Sequence, residues 1–439
     1  MAKFTTRLSI APLAAMSILA SAACGGEQSG VADPAQVIAE AATSDASDVA
    51  ASDNTPLSNE ARLAFAQTLF TGAEQYENFA RLATFSPTRT MAPSPKPHVF
   101  ENGAPIAPPV SFEAFRKTYE TTAFLDAIDN VALLALKDGK VVHEAYRLTG
   151  DVDQPWISMS MAKSFISALV GIAIADGHID GVDTPITVYV PELAGSAYDG
   201  VAIKHVLQMS SGAEWDEDYA DPESDINKLS RVFAMGGSIN DVVAGLDREY
   251  EPGVYNRYNS ADTQALGMLI VGATGRSIAD YMGEKLWRPM GAGASAAWLT
   301  DTEGGMEMAF AGMLARARDF ALIGEVYRQG GALDGKQIVP AEWVAASLTA
   351  DAPHLTAGDN PQSDTSLGYG YQWWLFDGDE GDFAAMGVYN QMIYVNPTDA
   401  TVLVMLSANS NYQATPNGSG DLEDEAVEFF RAYSDLIAQ

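Results

Sequence analysis

The 439-residue chain is poor in positive charge: 25 Lys and Arg stand against 58 Asp and Glu, a net charge of −33. So acidic a surface repels phosphate backbones and anionic lipid, which argues against nucleic-acid binding and favours neutral or cationic ligands over anionic ones. Cysteine is almost absent. Cys24 is the single one, so no internal disulfide can form and the fold must stand on its core. The five histidines, His98, His143, His178, His205 and His354, are scattered without metal-ligand spacing. There is no G-x-S-x-G elbow, no P-loop and no glycine fingerprint after a strand. A Ser-His-Asp triad stays open on spacing alone, but His205 lies in a helix-like segment that it is expected to pack against or cap. No metal or organic cofactor is called for.

Long apolar runs are also scarce, although 47% of residues are hydrophobic and only 19% charged, the balance of a globular chain. The one notable run, Leu8 to Ala20, follows Lys3 and Arg7 and is too short to span a membrane as a mature helix. Residues 1–23 therefore read as a signal peptide. The end of the run, Ser21-Ala22-Ala23-Cys24-Gly25-Gly26, resembles a bacterial lipobox, with Ser21 where leucine is usual. That resemblance implies a lipidated Cys24 at the mature N-terminus, the alternative being ordinary secretory cleavage near Ala23. Either way an exported, periplasmic or cell-envelope protein is expected, touching membrane only through the anchor. Residues 24–56, rich in Ala, Ser, Asp and Gly, read as a tether, and 57–439 as a single domain.

Within that domain Leu57 to Leu82 looks helical, and the Pro-punctuated stretch from Ser86 to Pro109 reads as an irregular wrap. Val131–Leu136 and Val141–Tyr146, joined through Asp138-Gly139, predict a hairpin. A helix rich in small and apolar residues should run from about Ser160 to Ala175, buried on most sides. Residues 177–359 read as a mostly helical insertion. Gln391–Val395 and Thr401–Ser407 predict a second hairpin, and Leu422–Ile437 a final amphipathic helix. Hairpins at both ends of a helical middle predict an α/β (α+β) fold with one central antiparallel sheet flanked by helices.

Ser160-Met161-Ala162-Lys163 is an S-x-x-K tetrapeptide at the start of that buried helix, and it occurs once in the chain. A spacing of three puts both side chains on one helix face. A serine hydroxyl needs a base to become a nucleophile. A lysine serves only if burial or nearby positive charge lowers its pKa. Free N–H groups at the helix start can face an oxyanion. Alone the motif is weak, since an N-capping Ser with a Lys one turn on looks the same.

Other motifs agree. Trp156 to Gly171 (WISMSMAKSFISALVG) resembles the nucleophile helix of class C β-lactamases, DD-peptidases and related esterases, nearest the branch that contains 6-aminohexanoate-dimer hydrolase. The likeness continues through Tyr189–Leu193, His205–Gly212, Glu217-Asp218-Tyr219, Glu251-Pro252-Gly253, Tyr258-Asn259-Ser260 and Trp343, in the family's order from about Phe112 to the C-terminus. It implies a β-lactamase/transpeptidase-like fold. It also makes Tyr258, six residues after Pro252, the hydroxyl that shares proton transfer with Lys163. Tyr255 lies at the wrong spacing for that role. The family's Lys-Thr-Gly becomes Ala385-Met386-Gly387, with alanine for lysine. By resemblance the Val388 N–H joins that of Ser160 in an oxyanion hole, and Gly387 lets backbone approach substrate.

Losing that lysine removes a partner for a β-lactam carboxylate. The expectation is a serine hydrolase forming an acyl-enzyme on Ser160 and acting on a small ester or short linear amide. A β-lactamase or DD-peptidase on the same fold is the alternative, and a non-catalytic envelope-binding protein the third. Tyr219 and Ser260 are expected to line the substrate site. Asp225, in the acidic loop after Tyr219, is a candidate partner for a substrate amine.

Overall fold

A computed structural model describes Leu69, residues 74–84, 86–412 and 421–439. The signal peptide, Cys24, the tether and most of the helix expected over Leu57 to Leu82 lie outside the described residues. Residues 56–439 form one compact unit.

In chain order the described elements begin with α1 (Gln75–Ala80), β1 (Thr88–Met91), β2 (Ser111–Ala114), β3 (Lys117–Glu120) and α2 (Thr121–Ala127). β4 (Asn130–Lys137), β5 (Lys140–Tyr146), β6 (Trp156–Ile157) and α3 (Ala162–Ala175) follow. The middle holds α4 (Ile203–Leu207), α5 (Asp225–Ala234), α6 (Ile239–Ala244), α7 (Ser260–Thr274) and α8 (Ile278–Met282). Then come β7 (Ala296–Leu299), β8 (Met313–Ala315), α9 (Ala317–Arg328), β9 (Ala332–Leu333), β10 (Lys336–Gln337) and α10 (Ala341–Ser347). The chain ends through β11 (Gly368–Tyr369), β12 (Trp374–Leu375), β13 (Phe383–Gly387), β14 (Gln391–Asn396), β15 (Thr401–Ser407) and α11 (Glu423–Ala438).

The main sheet is antiparallel, in the order β11-β12-β13-β14-β15-β4-β5, so strands from the two ends of the domain meet where β15 pairs with β4. The first hairpin turns as expected, with Asp138 at φ 50° and Gly139 at φ 71°, the left-handed pair a two-residue turn requires. Both faces of the sheet are covered, which is why its central strands are apolar at nearly every position rather than alternating. Leu134, Leu136, Val402, Val404, Ile393 and Val395 face the helical side. Leu133, Ala135, Leu403, Met405, Met392 and Tyr394 face α2 and the amphipathic α11, whose Phe429, Phe430 and Tyr433 fill that layer.

Two expectations need correction. The stretch from Ser86 to Pro109 is not wholly irregular, because Thr88–Met91, free of proline and flanked by Pro87 and Pro93, forms an edge strand on β7. The middle is also less helical than expected. It carries β7 and β8, which complete a second sheet of order β1-β7-β8-β6. These strands are only three or four residues long, too short to leave a period in the sequence.

That small sheet aims the chain at the site, since β6 leads directly into Ser158 and α3. Residues Ala162 to Ala173 of α3 are all buried. Its packing against α10 is tight: a Cβ added to Gly171 would stand 2.3 Å from the ring of Trp343. Gly171→Ala is therefore expected to lower stability by about 1–3 kcal/mol, because neither the helix nor a mostly buried indole can move freely. Chemical denaturation of the variant checks this.

Candidate active site

Ser160 sits in a 3₁₀ turn, Met159–Met161, that runs directly into α3. Met159 adopts φ 44°, a left-handed conformation costing a side-chain-bearing residue about 1–2 kcal/mol. The turn is held from both sides. The Ser158 N–H donates to Met313 O at 2.7 Å, and the Ser158 hydroxyl donates to Ala311 O at 3.1 Å.

Lys163 is 2% exposed and its Nζ has three oxygen neighbours: Ser160 Oγ at 2.9 Å, Ser260 Oγ at 3.1 Å and Phe310 O at 3.1 Å. Burial pulls its pKa down from 10.5 to about 8, against an opposing pull from Glu217. The lysine is still largely protonated at neutral pH but gives up its proton far more readily than a free amine, and it is placed on the serine it would activate.

α7 supplies the other half of the site. Asn259 caps it, accepting from the N–H groups of Ala261 at 2.8 Å and Asp262 at 3.3 Å, which fixes Tyr258 just before the helix and Ser260 as its first residue. The Tyr258 ring stacks on Trp374 with centroids 5.1 Å apart and lies 5.1 Å from Lys163 Nζ. Burial and the charge of Glu217 push the Tyr258 phenol well above its ordinary pKa, while its hydrogen bond with Ser160 pulls the other way. Tyr258 therefore keeps its proton at neutral pH. A protonated phenol can donate, and Lys163 is the group beside it that can accept a proton.

Gly387 ends β13 against the nucleophile turn: a Cβ there would lie 2.8 Å from Ser160 N and 3.0 Å from Ser158 O. β12 pairs only with Phe383 and Ala384, so the outer edge of Ala385 to Gly387 is left without a strand partner. The turn carrying Val388 is clamped by Gln391. Its amide donates to Tyr389 O at 2.9 Å and Ser407 O at 2.7 Å, and its carbonyl accepts from Trp156 Nε1 at 3.0 Å.

Ser160, Lys163, Tyr258, Ser260, Gly387 and Val388 thus come together, and Tyr219 lies beside them. The Tyr219 hydroxyl, however, is already donated to Glu217 Oε1 at 2.9 Å. Asp225 is on the rim of a cleft of about 540 Å³ shared with Tyr258, Glu217 and Asp364. Its oxygens are engaged by Asp216 N at 3.0 Å and Lys228 Nζ at 3.1 Å. Tyr255 stays outside, stacked on Tyr250. His205 packs on the Pro252-Gly253 turn, where a Cβ on Gly253 would lie 2.3 Å from its ring. Sequence reasoning missed Glu217 as more than part of a resembling segment, and missed Gln391 and the Phe310 carbonyl altogether. Backbone carbonyls and supporting amides leave no motif.

The β-lactamase family model matches residues 120–427. The chain belongs to that family. The 6-aminohexanoate-dimer hydrolase of Paenarthrobacter ureafaciens is 28% identical over 339 residues, covering 75% of this chain and 84% of the relative. A Bacillus anthracis protein solved as a candidate 6-aminohexanoate-dimer hydrolase superposes with a TM-score of 0.74 at 22% identity, covering 84% of this chain and 95% of that one. EstCE1, a hydrolase with promiscuous acyltransferase activity, gives a TM-score of 0.53 at 18% identity over 72% of this chain and 96% of its own. At these identities the structural likenesses are of fold. They show that this member of the β-lactamase family has the β-lactamase/transpeptidase-like fold.

Two outcomes are expected of the site itself. The rate at which a fluorophosphonate modifies Ser160 should climb as pH rises through about 8, where Lys163 loses its proton, and level off above it. In Gly387→Ala the same rate should fall about ten- to a hundredfold, since the added methyl wedges β13 away from the Ser160 amide. Time-resolved labelling of the two proteins across pH checks both.

Proposed function

We propose that the protein is a serine hydrolase that forms an acyl-enzyme on Ser160 and cleaves carboxylic esters or short linear amides. The observation that carries this reading is the 2.9 Å contact between a buried, weakly basic Lys163 Nζ and Ser160 Oγ. Ser160 Oγ attacks the carbonyl carbon as its proton passes to Lys163. The new oxyanion faces the N–H groups of Ser160 and Val388. The C–O or C–N bond then breaks, Tyr258 gives its proton to the leaving group, and the lysine ammonium restores it. Water repeats the sequence on the acyl-enzyme and releases the acid.

Ala385 supports esters and simple amides over β-lactams. It is 1% exposed and apolar where the resemblance expects a lysine, so no cation stands there for a carboxylate. The relatives' names, a 6-aminohexanoate-dimer hydrolase and a hydrolase with acyltransferase activity, support the same choice. We place the enzyme in the cell envelope, tethered through Cys24, on the strength of residues 1–26.

Protein lacking the leader should release p-nitrophenol from short-chain esters, with Ser160→Ala lowering kcat by about three orders of magnitude or more. Equal rates in the two proteins would remove Ser160 from its role. Stable acylation of Ser160 by a labelled penicillin would move the reading to a cell-wall enzyme. A wild-type protein that resists fluorophosphonate would move it to a binding protein.

A further inference from the structure

Among the described residues, Glu217 is the one carboxylate hydrogen-bonded into the chain that links Ser160, Lys163 and Ser260. It comes from the loop before α5 and lies at the N-terminus of α7, where a negative charge is favoured by the helix dipole. Its two oxygens take four donors. Oε1 accepts from Ser260 Oγ at 2.6 Å and from the Tyr219 hydroxyl at 2.9 Å. Oε2 accepts from Ser260 N at 3.1 Å and from the Trp215 indole N–H.

A carboxylate can only accept, so the Ser260 hydroxyl proton is committed to Glu217 and its lone pairs are turned to Lys163. That direction matters for the neutral amine. A neutral Lys163 has two N–H groups and one lone pair. With Phe310 O and Ser260 Oγ both accepting, the two N–H groups are taken and the lone pair is left for the Ser160 hydroxyl. If the Ser260 hydroxyl pointed the other way, it would donate to the amine and occupy the lone pair that Ser160 needs.

We propose that Glu217 is a positioning residue for catalysis: by holding the Ser260 hydroxyl as an acceptor, it aims the lone pair of Lys163 at Ser160. Its charge also keeps the lysine from losing its proton too readily, so that an ammonium is available to return the proton. This inference rests on the acyl-enzyme reading above and deepens it.

Other ionisable groups share the surroundings. Tyr258 stands over Lys163, and Glu423 of α11 acts on Tyr258. Tyr219, Tyr369, Asp262 of α7 and Asp364 all feel the charge of Glu217. Burial raises Asp364 to about 6 and Asp262 to about 7, both below the lysine at about 8, and the tyrosines lie far above it. The acidic limb near 8 is therefore the one that reports Lys163.

Glu217→Gln is the informative variant because it can fold without unpaired groups. Its amide oxygen can serve Ser260 N and Trp215, while its NH₂ donates to the Ser260 and Tyr219 hydroxyls, reversing Ser260. In this variant the limb of kcat/KM near pH 8 should move down by about one pH unit or more, as a neighbouring negative charge is lost. The plateau of kcat should drop at least about tenfold with KM little changed, the size expected when proton transfer is misdirected. Glu217→Asp, which keeps the charge, should hold the limb near its original place. Removing the misdirected hydroxyl should not add to the damage, so Glu217→Gln/Ser260→Ala should be no slower than Glu217→Gln. A limb that stays at its original pH in Glu217→Gln, or losses that multiply in the double variant, would overturn the proposal. Wild-type turnover that depends on Ser160 would leave the hydrolase reading standing in either case.

Discussion

The site depends on keeping an amine dry. A lysine buried to 2% exposure gives up hydration, and the fold returns only three oxygen neighbours, from Ser160, Ser260 and Phe310. Three acceptors satisfy the three N–H groups of an ammonium but do not replace the hydration lost around its charge, and that desolvation pulls Lys163 down to about 8. Much of the surrounding architecture serves this balance. α3 carries the lysine under cover on every side, α7 brings Ser260 to it, and the loop before β8 turns the Phe310 carbonyl inward.

Around this centre the electrostatics divide the labour. Lys163 and Tyr258 lie close together, but burial drives them in opposite directions, the amine toward neutrality and the phenol toward permanent protonation. The lysine is buried, while the tyrosine is only partly covered and lines the cleft. Ala385 marks a departure from the Lys-Thr-Gly pattern that the resemblance implies, while Ser160, Lys163 and Tyr258 match theirs.

Much of the fold was legible in the residues. Asp138-Gly139 can adopt left-handed φ values with little strain, so the first hairpin and its turn follow from local chemistry. The small, apolar content of α3 announces a helix buried all round, and α11 shows its one-sided pattern directly. The second sheet was not legible, because Trp156–Ile157 and Met313–Ala315 are too short to carry a period and owe their form to partners far away in sequence. The site divides similarly. Ser160 and Lys163 announce themselves by spacing, and Tyr258 only through resemblance. Gln391 and Glu217 are ordinary polar residues in sequence, and their importance comes from what tertiary structure sets beside them.

The pairing of β15 with β4 also bears on how the protein is made. Lys137 lies opposite Thr401, so a central strand waits for a partner 264 residues further along the chain (401 minus 137). Synthesis therefore delivers the Ser160 turn and α3 with Lys163 long before the strands that complete the sheet over them. Such distant closure makes folding slow and leaves the apolar faces of β4 and β5 uncovered in the interval. The sheet that covers the Ser160 turn is therefore complete only once the C-terminal strands have been made.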